Sequence, residues 1–181
     1  MSQSSPSLVF PAIHRFPPFY TRQPTDATRA RQLELWSDLL LAYGQQTRQT
    51  RMRLDALLAS ELCVNQAIER RLSRDLLVEI VDACVGKGDA EWTDTSKTEL
   101  FIYWRRPDAW AQLIHDWIIA TGQQGSVLTL HELSNSSAVE EQAEFYRLDE
   151  RMLRKALRVL ADKAKAQIFS SGTGEDGVKF F

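Results

Sequence analysis

Cysteine is nearly absent: the 181-residue chain has two, Cys63 and Cys84. No CxxC or His/Cys spacing surrounds either, so a disulfide framework and a zinc finger are both excluded as organising principles. Cys84 falls on an apolar helical stripe, and both are expected to be reduced core thiols. No run approaches the roughly 20 apolar residues a membrane-crossing helix needs. MSQSSPSLVF has no basic stretch leading into an apolar core, so it does not read as a secretory signal. An excess of positive charge is missing too. The net charge is −2 and the pI is near 5.9, against the basic balance usual in a dedicated nucleic-acid binder.

Catalytic constellations are also lacking. His14, His115 and His131 stand apart from one another. Ser73 and Cys84 have no base close in sequence. Gly172-Thr173-Gly174 has no following helix to cradle a phosphate. Glu140, Glu141 and Glu144 lack the alternating oxygen spacing of a calcium loop. The expectation is no catalytic residue, no metal, no cofactor and no small-molecule substrate.

Proline is scarce after residue 24. Five of six prolines, Pro6, Pro11, Pro17, Pro18 and Pro24, lie before that point, interleaved with Val9, Phe10, Ile13, Phe16, Phe19 and Tyr20. Such a segment holds no long helix. It is also too aromatic for an ordinary disordered tail. Phe16-Pro17-Pro18-Phe19-Tyr20 contains a PPxY pattern, for which polyproline II geometry is the expectation. Residues 1–25 are therefore read as an extended proline/aromatic docking segment. The competing reading packs it back onto the chain's own first domain.

What is abundant is apolar side chain, 44% of residues. Leu33, Trp36, Leu40 and Tyr43 mark a first helix from about Asp26 to Tyr43, with Gly44 expected to end it. Leu54 to Val64 is ambiguous, and a brief helix is plausible over Asn65 to Arg71. Ser73 caps a helix facing inward through Leu76, Leu77, Ile80, Val81 and Cys84 and closed by Gly86-Lys87-Gly88. A hairpin ends in Phe101-Ile102-Tyr103-Trp104, an apolar run fit for a strand covered on both faces. Pro107 then opens a helix with Trp110, Leu113, Ile114, Trp117 and Ile118 on one face, ended by Gly122. Val127 to Leu130 is a short strand, and Asn135 to Glu144 an acidic loop. Asp149 caps the last helix, with Leu153, Leu157 and Leu160 as its stripe. A hairpin over Ala166 to Phe181 closes the chain.

LSRDLLVEIVDACVGKGDAEW and LDERMLRKALRVLADKAKAQI align without a gap, cap on cap and stripe on stripe. The chain therefore reads as a structural repeat. The fold class expected is α+β, mainly α: two tandem winged helices, residues 26–105 and 106–181, after the N-terminal segment. With almost no linker, the halves are expected to pack rigidly, with Trp104, Trp110 and Trp117 as inter-domain packing residues. Arg151, Arg154, Lys155 and Arg158 line one face of the last helix. That face is either phosphate-contacting or simply solvated, and the acidic balance favours solvation.

FPPFYTRQP, RQLELWSDLLLAY, RRLS, EWTDTSK, YWRRPDAWAQLIHDW and terminal GVKFF together resemble the small-subunit family of the ESCRT-II endosomal sorting complex, the vacuolar protein-sorting-associated protein 25 family. The resemblance spans nearly the whole chain. It implies a non-enzymatic adaptor that sorts ubiquitinated membrane cargo into multivesicular bodies. Phe16, Pro17, Pro18, Phe19 and Tyr20, with the first winged helix, are implied to bind two larger winged-helix subunits, with two copies of this chain per assembly. The second winged helix is implied to recruit an ESCRT-III subunit. The implied location is cytoplasmic with recruitment to endosomes, membrane contact being indirect. The alternatives are a tandem winged-helix DNA-binding regulator, and a free PPxY ligand for WW domains, which needs an exposed Tyr20.

Overall fold

The computed structural model describes residues 9–135, 139, 143–170, 172 and 176–181. Of the expected features, Pro6, Glu140, Glu141, Thr173 and Gly174 lie outside the described residues. The chain divides into two compact units, Met1–Trp104 and Arg105–Phe181.

In the first unit, two 3-10 turns, Ala12–Arg15 and Pro17–Tyr20, lead to helix α1, Asp26–Thr47. Thr25 caps α1 by accepting from the Thr28 amide. Gly44 does not end α1 as expected. The helix runs on to Thr47, and Arg48, in the left-handed region, caps it. Gly44 is inside because Ile102 and Trp104 pack where its Cβ would stand. Strand β1 (Arg51–Arg53) and helix α2 (Leu54–Ala59) follow. The expected helix over Asn65 to Arg71 is instead a minimal hairpin. Its strands are β2 (Val64–Asn65) and β3 (Arg70–Arg71), joined by a 3-10 turn with Glu69 at positive φ. Helix α3 (Arg74–Lys87) is capped by Ser73, whose hydroxyl accepts from the Leu76 amide, and ends at Gly88 with φ 78°. Strands β4 (Ala90–Trp92) and β5 (Glu99–Ile102) complete a three-stranded antiparallel sheet in the order β1-β5-β4.

Leu100 and Ile102 turn into the core of the first unit, and Phe101, on the opposite face of β5, is buried as well. Tyr103 and Trp104 lie beyond the strand. The core joins α1 and α3 through Trp36, Leu40, Leu76, Leu77, Ile80 and Val81. Cys63 and Cys84 are unpaired and fully buried. Loss of hydration pushes the Cys63 thiol up to about 12.

The second unit repeats the plan. Helix α4 (Pro107–Ala120) packs against α6 (Glu150–Asp162). Between them in sequence lie β6 (Val127–Thr129) and α5 (Leu130–Asn135). Strands β7 (Ala166–Phe169) and β8 (Gly177–Phe180) close a sheet in the order β6-β8-β7. Asp149 caps α6 by accepting from the Arg151 amide. Trp110, Ile114, Ile118, Leu153, Leu157, Val178 and Phe180 fill this core.

Candidate functional site

The N-terminal segment is tied to the first unit by hydrogen bonds and ring contacts, and its geometry differs from expectation. Pro17–Tyr20 is a 3-10 turn rather than polyproline II. Proline fixes φ near −65°, a value both geometries share, so ψ is left to packing. Here the turn lets Phe19 and Tyr20 point inward, each 4% exposed. Phe19 stacks on Trp36 with centroids 4.3 Å apart, and Tyr20 meets Trp36 edge-on at 5.4 Å. The Phe19 carbonyl accepts from Trp36 Nε1 at 2.9 Å and from Gln32 Nε2 at 2.8 Å. Tyr20 donates its hydroxyl to the His14 carbonyl at 3.0 Å, and burial raises its pKa. For Phe19 and Tyr20, the competing reading that packs the segment back onto the chain's own first domain describes the structure.

Phe16, Pro17 and Pro18 behave otherwise. Phe16 is 53% exposed, Pro18 is exposed and Pro17 is half-buried. With Ile13, Thr28, Arg31 and Leu35, Phe16 and Pro18 border a mostly apolar cavity of about 200 Å³. One turn thus holds inward anchors beside outward rings. A WW ligand needs Tyr20 free, and here the ring and hydroxyl are both engaged.

Sequence reasoning missed His14, expected to be isolated. It is 4% exposed, with Nε2 2.9 Å from the Leu62 carbonyl, and stacks on Phe10 at 4.0 Å. The hydrogen-bond partners of its ring, Leu62 and Asn65, lie about fifty residues away, so no local pattern announces them.

Each of the three tryptophans makes contacts inside its own unit. Trp104 packs on the first core, its Nε1 donating to the Gln49 carbonyl at 2.9 Å. Trp110 is 1% exposed beneath the Arg105 guanidinium. Trp117 meets Phe145 edge-on at 5.6 Å.

On α6, Arg154 is not a free phosphate contact. It donates to Glu150 and to Asp176, whose pKa it lowers. Arg151 and Lys155 also have partners. Glu144 pairs with Arg105. Among the described residues, no group of three His, Cys, Asp or Glu is placed to hold a metal. No helix among them is long and apolar enough to cross a membrane.

The family model described as ESCRT-II complex subunit matches residues 13–149. Vacuolar protein-sorting-associated protein 25 of Homo sapiens is 39% identical over 175 residues, covering 97% of this chain and 98% of the relative. The protein of that name from Dictyostelium discoideum is 35% identical over 187 residues, covering 95% of each. Of solved structures, the chain is similar to the crystal structure of subunit VPS25 of the endosomal trafficking complex ESCRT-II. The TM-score is 0.80 at 30% identity, covering 94% of this chain and 99% of that one. A chain of the crystal structure of endosomal complex ESCRT-II (VPS22/VPS25/VPS36) matches with TM-score 0.78 at 30% identity, covering 94% of this chain and 98% of that one.

Proposed function

This chain belongs to the ESCRT-II complex subunit family, and on that premise we propose that it is the small adaptor subunit of an ESCRT-II complex, working in endosomal protein sorting without chemistry of its own. The observation that carries this is the near-complete correspondence, in sequence and in fold, with a subunit of that complex. Each unit is read as a winged helix. The order helix, strand, helix, helix, hairpin, with the first strand paired to the last, supports that in both.

The partners are two larger subunits, reached through the N-terminal segment and the first unit. An ESCRT-III subunit meets the second unit. Two copies of this chain serve each assembly, sorting ubiquitinated cargo at endosomes from the cytoplasm, with membrane contact made by partners. Within Phe16 to Tyr20 the work divides. Phe19 and Tyr20 anchor the turn to this chain, and Phe16, Pro17 and Pro18 face the larger subunits. Exposed aromatic anchors are the side chains that dominate interface energies.

Co-purification of the tagged chain with the two larger subunits tests the reading. Phe16→Ala is expected to weaken that association by about 2 kcal/mol, roughly 30-fold in Kd, with the melting temperature of the isolated chain unchanged. Undiminished binding removes Phe16 from the interface. Failure of the wild-type chain to co-purify with the larger subunits overturns the adaptor reading.

A further inference from the structure

We propose that the N-terminal segment is a proton-sensitive clasp, seated on the first unit only while the His14 imidazole carries a single proton, on Nε2. The assignment starts from Asn65. Its Oδ1 accepts from the Ala67 amide at 3.1 Å, and its Nδ2 donates to the His14 carbonyl at 2.9 Å. These two bonds leave the amide one orientation. The same Nδ2 lies 3.3 Å from His14 Nδ1. An amide nitrogen brings only protons to such a contact, so Nδ1 must present its lone pair. The other ring nitrogen, Nε2, lies 2.9 Å from the Leu62 carbonyl, which only accepts. The ring is therefore held in one neutral tautomer with both nitrogens engaged.

A second proton on Nδ1 points one N–H at another. It abolishes the bond to Asn65 and places a charge where 4% of the residue meets solvent. The surroundings do not offset this. From the segment itself come Tyr20, edge-on at 5.6 Å, and the neighbouring Arg15. From α1 comes Trp36 at 6.2 Å. From the stretch ending in β2 come Glu61, Cys63 and Asn65. Tyr20 and Cys63 are kept neutral by burial. Glu61 and Arg15 border the same open cavity, are exposed and have opposite signs. Phe10, stacked at 4.0 Å, attracts a cation over its face, but a half-exposed ring returns less than the lost bond and lost hydration. Once His14 lets go, Leu62 and Asn65 lose the segment, and the Phe19 carbonyl leaves Trp36 and Gln32.

The clasp stands on this chain alone. Only its consequence, that acid withdraws the Phe16 surface from the larger subunits, rests on the adaptor reading. NMR of the ¹⁵N-labelled full chain reads it through the Trp36 indole N–H. When the pH is lowered from about 7.5 to about 5.5, that N–H loses protection from solvent exchange. The Trp110 indole in the second unit keeps its own. In His14→Gln the Trp36 indole shows the same protection at both pH values. Equal protection at both pH values in the wild type, or an undiminished pH dependence in His14→Gln, overturns the proposal. Because the substitution can itself unseat the segment, the ring ¹⁵N shifts of wild-type His14 supply a second measurement. The Nε2–H tautomer is expected at the higher pH. The opposite tautomer, or a charged ring beside a still-protected Trp36 indole, overturns the clasp. No readout uses the larger subunits, so failed assembly leaves this result standing.

Discussion

Gly44 shows how a single side chain, or its absence, is decided from far along the chain. It lies within α1, yet a Cβ there would collide with Ile102 and stand 2.9 Å from Trp104 Cδ1 and 3.1 Å from the Gln49 carbonyl. Trp104 cannot easily yield, because its indole is tied to that same carbonyl. Gly44→Ala is therefore expected to destabilise the chain by about 1–3 kcal/mol despite its better helix propensity, as overpacking does. Urea denaturation measures it, and a more stable variant refutes the close-packing account. From sequence alone the glycine reads as a helix stop, because the residues that need its space are some sixty positions later. Ser73 and Asp149 were legible for the opposite reason: a cap bonds to an amide two or three residues on, within reach of a local pattern.

At the scale of elements, the same distinction separates the helices from the segment that precedes them. α3, α4 and α6 follow from apolar spacing, and their stripes are buried as expected except that Leu113 and Trp117 of α4 are only half-buried. β1 has three residues and one buried side chain, Met52, opposite Leu100, so it exists through pairing rather than pattern. The N-terminal segment hides its role because rings on a proline-rich backbone suit a foreign groove and a home core equally. Its removal now has a definite expected outcome. Deleting residues 1–20 strips the stacked Phe19 ring from Trp36, leaves Trp36 Nε1 without its carbonyl partner and leaves Gln32 Nε2 with the Thr21 carbonyl alone. Loss of a buried aromatic alone costs about 3–5 kcal/mol, so the melting temperature of the first unit should fall steeply, by tens of degrees at most. A calorimetric trace unchanged by the deletion contradicts the seated segment. In the second unit, Arg154 joins α6 to the residue before β8 through Asp176 and holds that carboxyl below its ordinary 3.8. A depressed acid stabilises the fold above the unfolded value and stops doing so as pH falls through the folded one. Arg154→Met should lose stability at neutral pH and flatten the decline below about pH 4. A decline as steep as the wild type's places the acid sensitivity elsewhere.

For the whole molecule, the question that charge settles is whether two helix-strand units of this kind read nucleic acid. A recognition helix needs uncommitted cations facing a phosphate backbone, since releasing counterions supplies most of the affinity. The strongest candidate is the outer face of α6, and there Arg154 is already bound by two carboxylates while Arg151 and Lys155 have partners. On the first unit, Arg70 and Arg71 of β3 and Arg74 at the start of α3 are exposed, but Glu69 and Asp75 are their neighbours in sequence. The chain as a whole carries −2. A steered approach to a polyanion is thus opposed at long range and unrewarded at contact. The expected outcome in a mobility-shift titration at physiological salt is no sequence-specific complex with duplex DNA, even at micromolar protein. Any weak retardation at low salt should vanish as salt rises and should not distinguish one sequence from another. A salt-tolerant, site-specific shift with a nanomolar Kd would reverse the conclusion, because such affinity requires base contacts beyond a loose attraction to phosphates.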